Sequence, residues 1–295
     1  MEKSIRFSLF EKLKGKNKYS FDQSNTVRLN DMVFAHSKTE VTFAVDSFNE
    51  TQTHIDCAVD IIQNDEKKSV DILQEMKEYA KKLSEPFDTY SLRINQKGVV
   101  ENVLNLQEIR EKWEAMKMKL QEDNLFASLP EKEKNKFFIL GETHLSNPRE
   151  VLEDVAKSPL YGNVFNQIYE QDYTIENAHK YQTRQYPSGF FRDIQIPVDC
   201  YLTINELETS VYELVFDGAL NNLTYPRKEI ASAYKENYQK FGEPFMFYTF
   251  DVKARYLIDQ TNNLFSGVKI YVNERVNNLL SFFSEINIKR MDDIN

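Results

Sequence analysis

Two stretches of this chain begin and end alike at one constant offset, and that spacing constrains its architecture more than any single residue does. Glu50-Thr51 opens a run that closes on Glu85-Pro86-Phe87, and Glu208-Thr209 opens one that closes on Glu243-Pro244-Phe245. Between those ends each run reads as a strand, a polar turn and an amphipathic helix. Ile72, Met76, Tyr79 and Leu83 recur at the three-and-four spacing that gathers side chains on one helical face, and Ile230, Tyr234, Tyr238 and Phe241 repeat the phase. The positions between them are mostly charged or small, as a helix packed on one side requires. Each helix stops ahead of a proline, because the residue before proline is pushed out of the α region. The preceding strands align less well. Alternation selects Ile55, Cys57 and Val59 in the first run but Tyr212, Leu214 and Phe216 in the second, a slip of one residue.

The fold class that follows is α+β: two related halves of mostly antiparallel sheet, each carrying an amphipathic helix, joined by a helical middle segment. The competing reading is that two ordinary strand-helix-strand units share letters by chance. The boundaries fall at 1–123 for the first half, 124–183 for the helical bridge and 184–295 for the second half, and all three are able to pack as one domain. Alternating patterns place strands at Ile5 to Leu13, Thr26 to Phe34, Glu40 to Ser47 and Thr53 to Gln63, with a pair at Tyr90 to Asn95 and Val99 to Leu104 turned at Gln96-Lys97-Gly98. Asn105 and Glu108 have capping-box spacing ahead of a stripe of Leu106, Ile109, Trp113, Met116 and Leu120, expected to pack on the first half's sheet. In the bridge, Glu131 to Leu140 reads as a short helix. Asn147-Pro148 with Glu150 starts another, which breaks near Ser158-Pro159. Further strands are expected at Phe190 to Ile196 and Val198 to Ile204, broken at Pro197. A long hairpin follows around Gln260-Thr261-Asn262-Asn263, and Leu279 to Arg290 reads as a last strand.

Composition narrows the function classes. With 295 residues and 41% hydrophobic content the chain can bury a large core, and 21 Phe and 16 Tyr in alternating patterns are mostly core. A net charge of −9 with bases interleaved among acids argues against nucleic acid as a partner. The one basic stretch, Lys12, Lys14, Lys16 and Lys18, reads as a solvated loop. Two cysteines, no apolar leader and no run approaching ~18 apolar residues lead us to expect reduced thiols, a cytoplasmic location and no membrane partner.

Chemical motifs are scarce. The 8 glycines form no phosphate-cradling run, and no nucleophile elbow, zinc-protease helix or paired-cysteine motif occurs. His54, Asp56 and Cys57 lie within four residues, but on a strand His54 and Asp56 share a face that Cys57 does not, so the reading is a surface pair beside a buried thiol. Cys57 with Cys200 would make an incomplete metal site, and Glu142 and His144 read as exposed polar residues. No catalytic residue, metal site or cofactor is therefore assigned. The binding candidates are Arg184, Tyr186, Phe190, Phe191 and Arg192, two arginines and three aromatics around Pro187 and Gly189. That is the composition of an exposed recognition loop, or of a turn whose aromatics belong to the core. The leading expectation is a noncatalytic cytosolic interaction protein, such as an adaptor, inhibitor or immunity-type binder, that meets a protein partner through an acidic, aromatic-containing surface. The alternatives are a carrier of an apolar small molecule within a curved sheet, and an enzyme with an unfamiliar carboxylate and histidine site.

Overall fold

Alternation of apolar and polar residues dominates the chain, and in the computed structural model it becomes one long antiparallel meander. The structure describes residues 4–8, 16–68, 83–165, 168–174, 179–191, 194–238, 243–260 and 265–291. The first five strands of the main sheet are β2 (Lys16–Leu29), β3 (Met32–Glu50), β4 (His54–Lys68), β5 (Thr89–Asn95) and β6 (Val100–Val103). After a helical stretch come β8 (His179–Pro187), β9 (Gln195–Glu208), β10 (Val211–Leu220), β11 (Tyr248–Asp259), β12 (Phe265–Val276) and β13 (Leu280–Met291). The eleven strands lie in the order β6-β5-β4-β3-β2-β13-β12-β11-β10-β9-β8. Every neighbour in the chain is thus a neighbour in the sheet, except where the bridge separates β6 from β8. The last strand closes on the first, with twelve residue pairs running from Leu280↔Leu29 to Met291↔Lys18. A twisted sheet of this width curls on itself, and its two free edges come to line one cleft.

The concave face is filled by the chain itself. Inward residues such as Tyr19, Phe43, Phe216, Tyr256 and Phe265 are buried, and so are Leu160, Tyr161, Val164, Phe165, Ile168, Tyr169 and Tyr173 from the end of the bridge. Tyr161 meets Tyr90 of β5 edge-on at 5.3 Å, and Tyr169 lies beside Tyr19 and Tyr256. A small ribbon of β1 (Ser4–Arg6) and β7 (Asp172–Thr174) joins this plug, with Phe7 against Tyr173 and Tyr212.

Helix α1 (Leu106–Gln121) closes the first half, the helices of the bridge are α2 (Asn124–Ala127), α3 (Glu131–Ser146), α4 (Pro148–Lys157) and α5 (Tyr161–Val164), and α6 (Arg227–Tyr238) belongs to the second half. The stripe of α1 is buried at all five expected positions. Trp113, however, packs between Phe87 and Phe137 and against Gly141 of α3, so its burial comes largely from the neighbouring helix. Asn147 caps α4 as expected, accepting from the Arg149 N–H at 3.2 Å, and α4 ends where Ser158-Pro159 breaks it.

Several expectations need correction. Thr26 to Phe34 is not one strand. The chain reverses at Asn30 and Asp31, both at positive φ (50° and 62°), the primed turn that a tight hairpin favours. Pro197 does not break the second half's first long strand. Its carbonyl accepts from Asn221 just past the end of β10, so its missing N–H falls where that neighbour has run out. Asn105 does not cap α1 with its side chain. It straps the helix start to β5 instead, accepting from the Ser91 N–H at 2.9 Å and donating to the Thr89 carbonyl at 3.1 Å. Strand β8 already begins at His179, five residues ahead of the boundary read from the sequence, because pairing with β9 extends it.

The two runs share an antiparallel strand pair but not its register. β4 and β5 are antiparallel neighbours joined by a long connection, and so are β10 and β11, whose connection holds α6 with Ile230 and Tyr234 buried. Yet Asp60 pairs with Thr89, whereas Gly218, which stands 158 residues after Asp60, pairs with Val252 rather than with the Phe247 that the offset requires. The first copy's helical positions Ile72, Met76 and Tyr79 lie outside the described residues, as do Lys12, Lys14, Phe241 and the centre of the 260–263 turn.

Candidate functional site

The break in the meander makes the site. Between the sheet's two edges lies a cleft of about 430 Å³, with Val99 and Val100 at the β5–β6 turn on one side and Gln182 to Tyr186 of β8 on the other. Ala156, Gly162, Asn163 and Phe165 of the bridge complete it. Gly162 is needed there, since a Cβ at that position would stand 2.7 Å from the Ala156 carbonyl oxygen and force the bridge away.

Two of the five candidate residues enter this cleft. The Arg184 guanidinium lies over the Phe216 ring, 4.9 Å from its centroid, a cation–π arrangement that holds the charge at the sheet's inner face. With the Gln182 amide in the orientation that satisfies both groups, its oxygen accepts from Arg184 Nε at 2.6 Å and Nη2 at 3.2 Å. Tyr186 lies 6.2 Å from Phe250, and burial pushes its hydroxyl far above the ordinary phenol range, so it remains neutral.

The other candidates are carried elsewhere. Phe191 is 2% exposed, and Phe190 and Phe191 both meet Tyr238 of α6 edge-on. Phe190 also meets Phe282, against which Gly189 is pressed too closely for any Cβ. Beneath them Glu274 is 0% exposed. It accepts from Ser188 Oγ at 2.5 Å, the Gly189 N–H at 2.6 Å and the Tyr248 hydroxyl at 2.8 Å. Burial raises its carboxyl above the ordinary range, and these donors offset part of that rise. Residues 188–191 thus have the packing of a latched core turn, and Arg192 lies outside the described residues.

The histidine, carboxylate and thiol group does not converge. His54 Nε2 is 2.7 Å from a Glu101 oxygen, while Cys57 is buried on the opposite face with its thiol pushed up to about 12 by burial. Asp56 is not on the surface as expected. It is buried beneath Arg93, which donates from Nε at 2.8 Å and Nη2 at 2.9 Å, and that bonding holds the carboxyl below its usual range. His144 stands in the last turn of α3, 3.7 Å from Asp154. Both cysteines are free and buried, and no group of three or more metal-ligating side chains occurs among the described residues.

The outer face beside β8 carries a second, shallower depression of about 390 Å³. Tyr201, Asp217, Lys253 and Tyr271 stand in one cross-strand row there, and Asp251 and Asn273 stand in the next. Tyr201 is 49% exposed, and Lys253 is paired with Asp217 at 3.1 Å. Sequence reasoning missed both this face and the cleft, because cross-strand rows and facing edges depend on registers that alternation does not fix.

No helix among the described residues is long and apolar enough to cross a membrane. No protein-family model matches this chain, and no curated protein sequence does. Among solved structures the chain is similar in outline to one described as lipid–protein interactions in lipovitellin, at 10% identity and a TM-score of 0.45, over 95% of this chain and 25% of that one. The chain therefore spans about a quarter of that protein's length, and a likeness of this size carries no argument about what it does.

Proposed function

We propose that this chain is a noncatalytic interaction protein of the cytoplasm, an adaptor, inhibitor or immunity-type binder, that takes a protein partner at the cleft between β6 and β8. The observation that carries the reading is that both edges of the sheet line one cleft with Arg184 and Tyr186 in its wall. The acidic, aromatic outer face lies alongside, since Tyr201 of β9 pairs with Lys180 of β8, and a partner seated at the edge would extend across it. A carrier of an apolar molecule is disfavoured, because the concave face that would hold the cargo is occupied by Phe165, Ile168, Tyr169 and Tyr173. The two halves and the bridge act as one body in this reading, joined through the β2–β13 ladder.

A photo-crosslinking amino acid placed at Thr183, which is exposed at the cleft, tests the proposal. Irradiation in native extract should give a discrete protein adduct, with none from the same probe at exposed Glu111 on α1. Absence of any adduct at Thr183, with a small molecule retained in native mass spectrometry, would replace this reading with the carrier.

A further inference from the structure

We infer that the partner enters as an extended strand that hydrogen-bonds to the free edge of β8. The inference rests on the cleft being the binding site and adds the mode of recognition. Gln182, Thr183, Arg184, Gln185 and Tyr186 all line the cleft. Alternate residues of a strand point to opposite faces, so a hollow touched by five in succession runs along the strand's edge rather than over one face.

Pairing identifies the backbone groups on that edge. The Pro197 carbonyl accepts from the Asn221 N–H at 2.8 Å, on the β10 side. A strand residue directs its N–H and C=O the same way, so Pro197 turns away from β8 and makes no ladder bond with Gln185, the residue opposite it. Gln185 must then direct its own N–H and C=O out of the sheet and into the cleft. Thr183, two residues earlier and opposite Asp199, does the same. Pro187 is next in the series, and its missing N–H falls on the edge, where proline is tolerated. Among the described residues, the backbone bonds outside the regular ladders include none from Thr183 or Gln185. Two unpaired donor–acceptor sets about 6.6 Å apart match the spacing of alternate residues on an incoming strand. Val100, Phe165 and Tyr186 offer apolar surface on the inner side of the cleft. The occupant that fits is a polypeptide segment without central proline that has apolar residues at alternate positions, turned inward, and polar ones turned to water.

The test is selection of a displayed library of random ten-residue peptides on the intact protein, with Gln185→Pro as counter-target. That substitution removes one edge N–H but spares the β8–β9 ladder bonds, which Arg184 and Tyr186 make. Enriched peptides should alternate, and should bind roughly tenfold or more weakly to Gln185→Pro. N-methylation of their central backbone nitrogens should weaken binding to the unaltered protein as much, and that arm holds even if the variant folds poorly. Peptides that bind both proteins equally and tolerate N-methylation would overturn strand addition, as would a library that yields none. Self-association abolished by Gln185→Pro would overturn a foreign partner instead, assigning the edge to a second copy of the chain. If the Thr183 probe still captures its protein in the Gln185→Pro background, strand addition falls while the binding reading stands. If Thr183 captures nothing in either background, both fall.

Discussion

Gly141 shows how one residue can fix the contact between two helices. A Cβ there would lie 2.1 Å and 2.4 Å from two atoms of the Trp113 ring, and that ring is itself held between Phe87 and Phe137. Gly141→Ala gains about 1 kcal/mol of helix propensity but overpacks the site at a cost of about 1–3 kcal/mol. A lower urea midpoint and a shifted Trp113 fluorescence spectrum are expected. Glu274 is the second residue whose environment decides its behaviour. Burial holds its carboxyl above the ordinary range, so the native chain keeps a proton that the unfolded chain releases. The stabilisation it contributes is complete below the unfolded pKa and is lost as pH rises through the folded one. Glu274→Gln removes that titration. Denaturation of both proteins between about pH 4 and pH 8 should show wild type losing stability relative to the variant as pH rises. Asp56 has the opposite sign. Arg93 holds it low, so its contribution is present above the ordinary carboxylate range and is lost on acidification. Asp56→Asn should therefore leave less acid dependence in the urea midpoint. None of these environments was legible in the sequence, where Glu274 and Asp56 are two among 46 acids.

At the scale of elements, start signals that look alike in sequence do different work. Asn147 caps α4 through its side chain, and Asn147→Ala should cost about 1 kcal/mol. Asn105 makes two bonds to β5 that leave Ser91 and Thr89 unsatisfied when removed, so Asn105→Ala should cost about 1–3 kcal/mol and should expose the β5–β6 edge. Amide exchange at Ser91 distinguishes the two, since it should quicken only in the Asn105 variant. The stripes of α1 and α6 were readable because three-and-four spacing is local and each helix buries one face. The turn at Asn30-Asp31 was not, because apolar residues on both sides of it resemble one continuous strand. The signal was the Asn-Asp pair itself, two residues that accept positive φ. Pro197 misled for a related reason, since a proline's effect depends on which neighbour its missing N–H faces.

For the whole molecule, the β2–β13 ladder binds the first half to the second along twelve residue pairs, and Tyr169 of the bridge lies beside Tyr19 of the first and Tyr256 of the second. Urea unfolding should accordingly be one transition, with Trp113 fluorescence and far-ultraviolet circular dichroism superimposing. Separate midpoints would divide the chain into independent halves. The sequence by itself determined the α+β class, the inward sets Ile55, Cys57, Val59 and Tyr212, Leu214, Phe216, the stripe of α1 and the break after α4, because periodicity and breakers act within a few residues. It also singled out Arg184 and Tyr186, though as part of a loop with Phe190 and Phe191 rather than as the wall of a cleft. Only the tertiary structure decided that the meander closes between its first and last strands and opens between β6 and β8, and that Thr183 and Gln185 turn their backbone groups into the gap. Those features follow from strand registers and from sheet curvature summed over eleven strands, and neither is written in the alternation of any one strand.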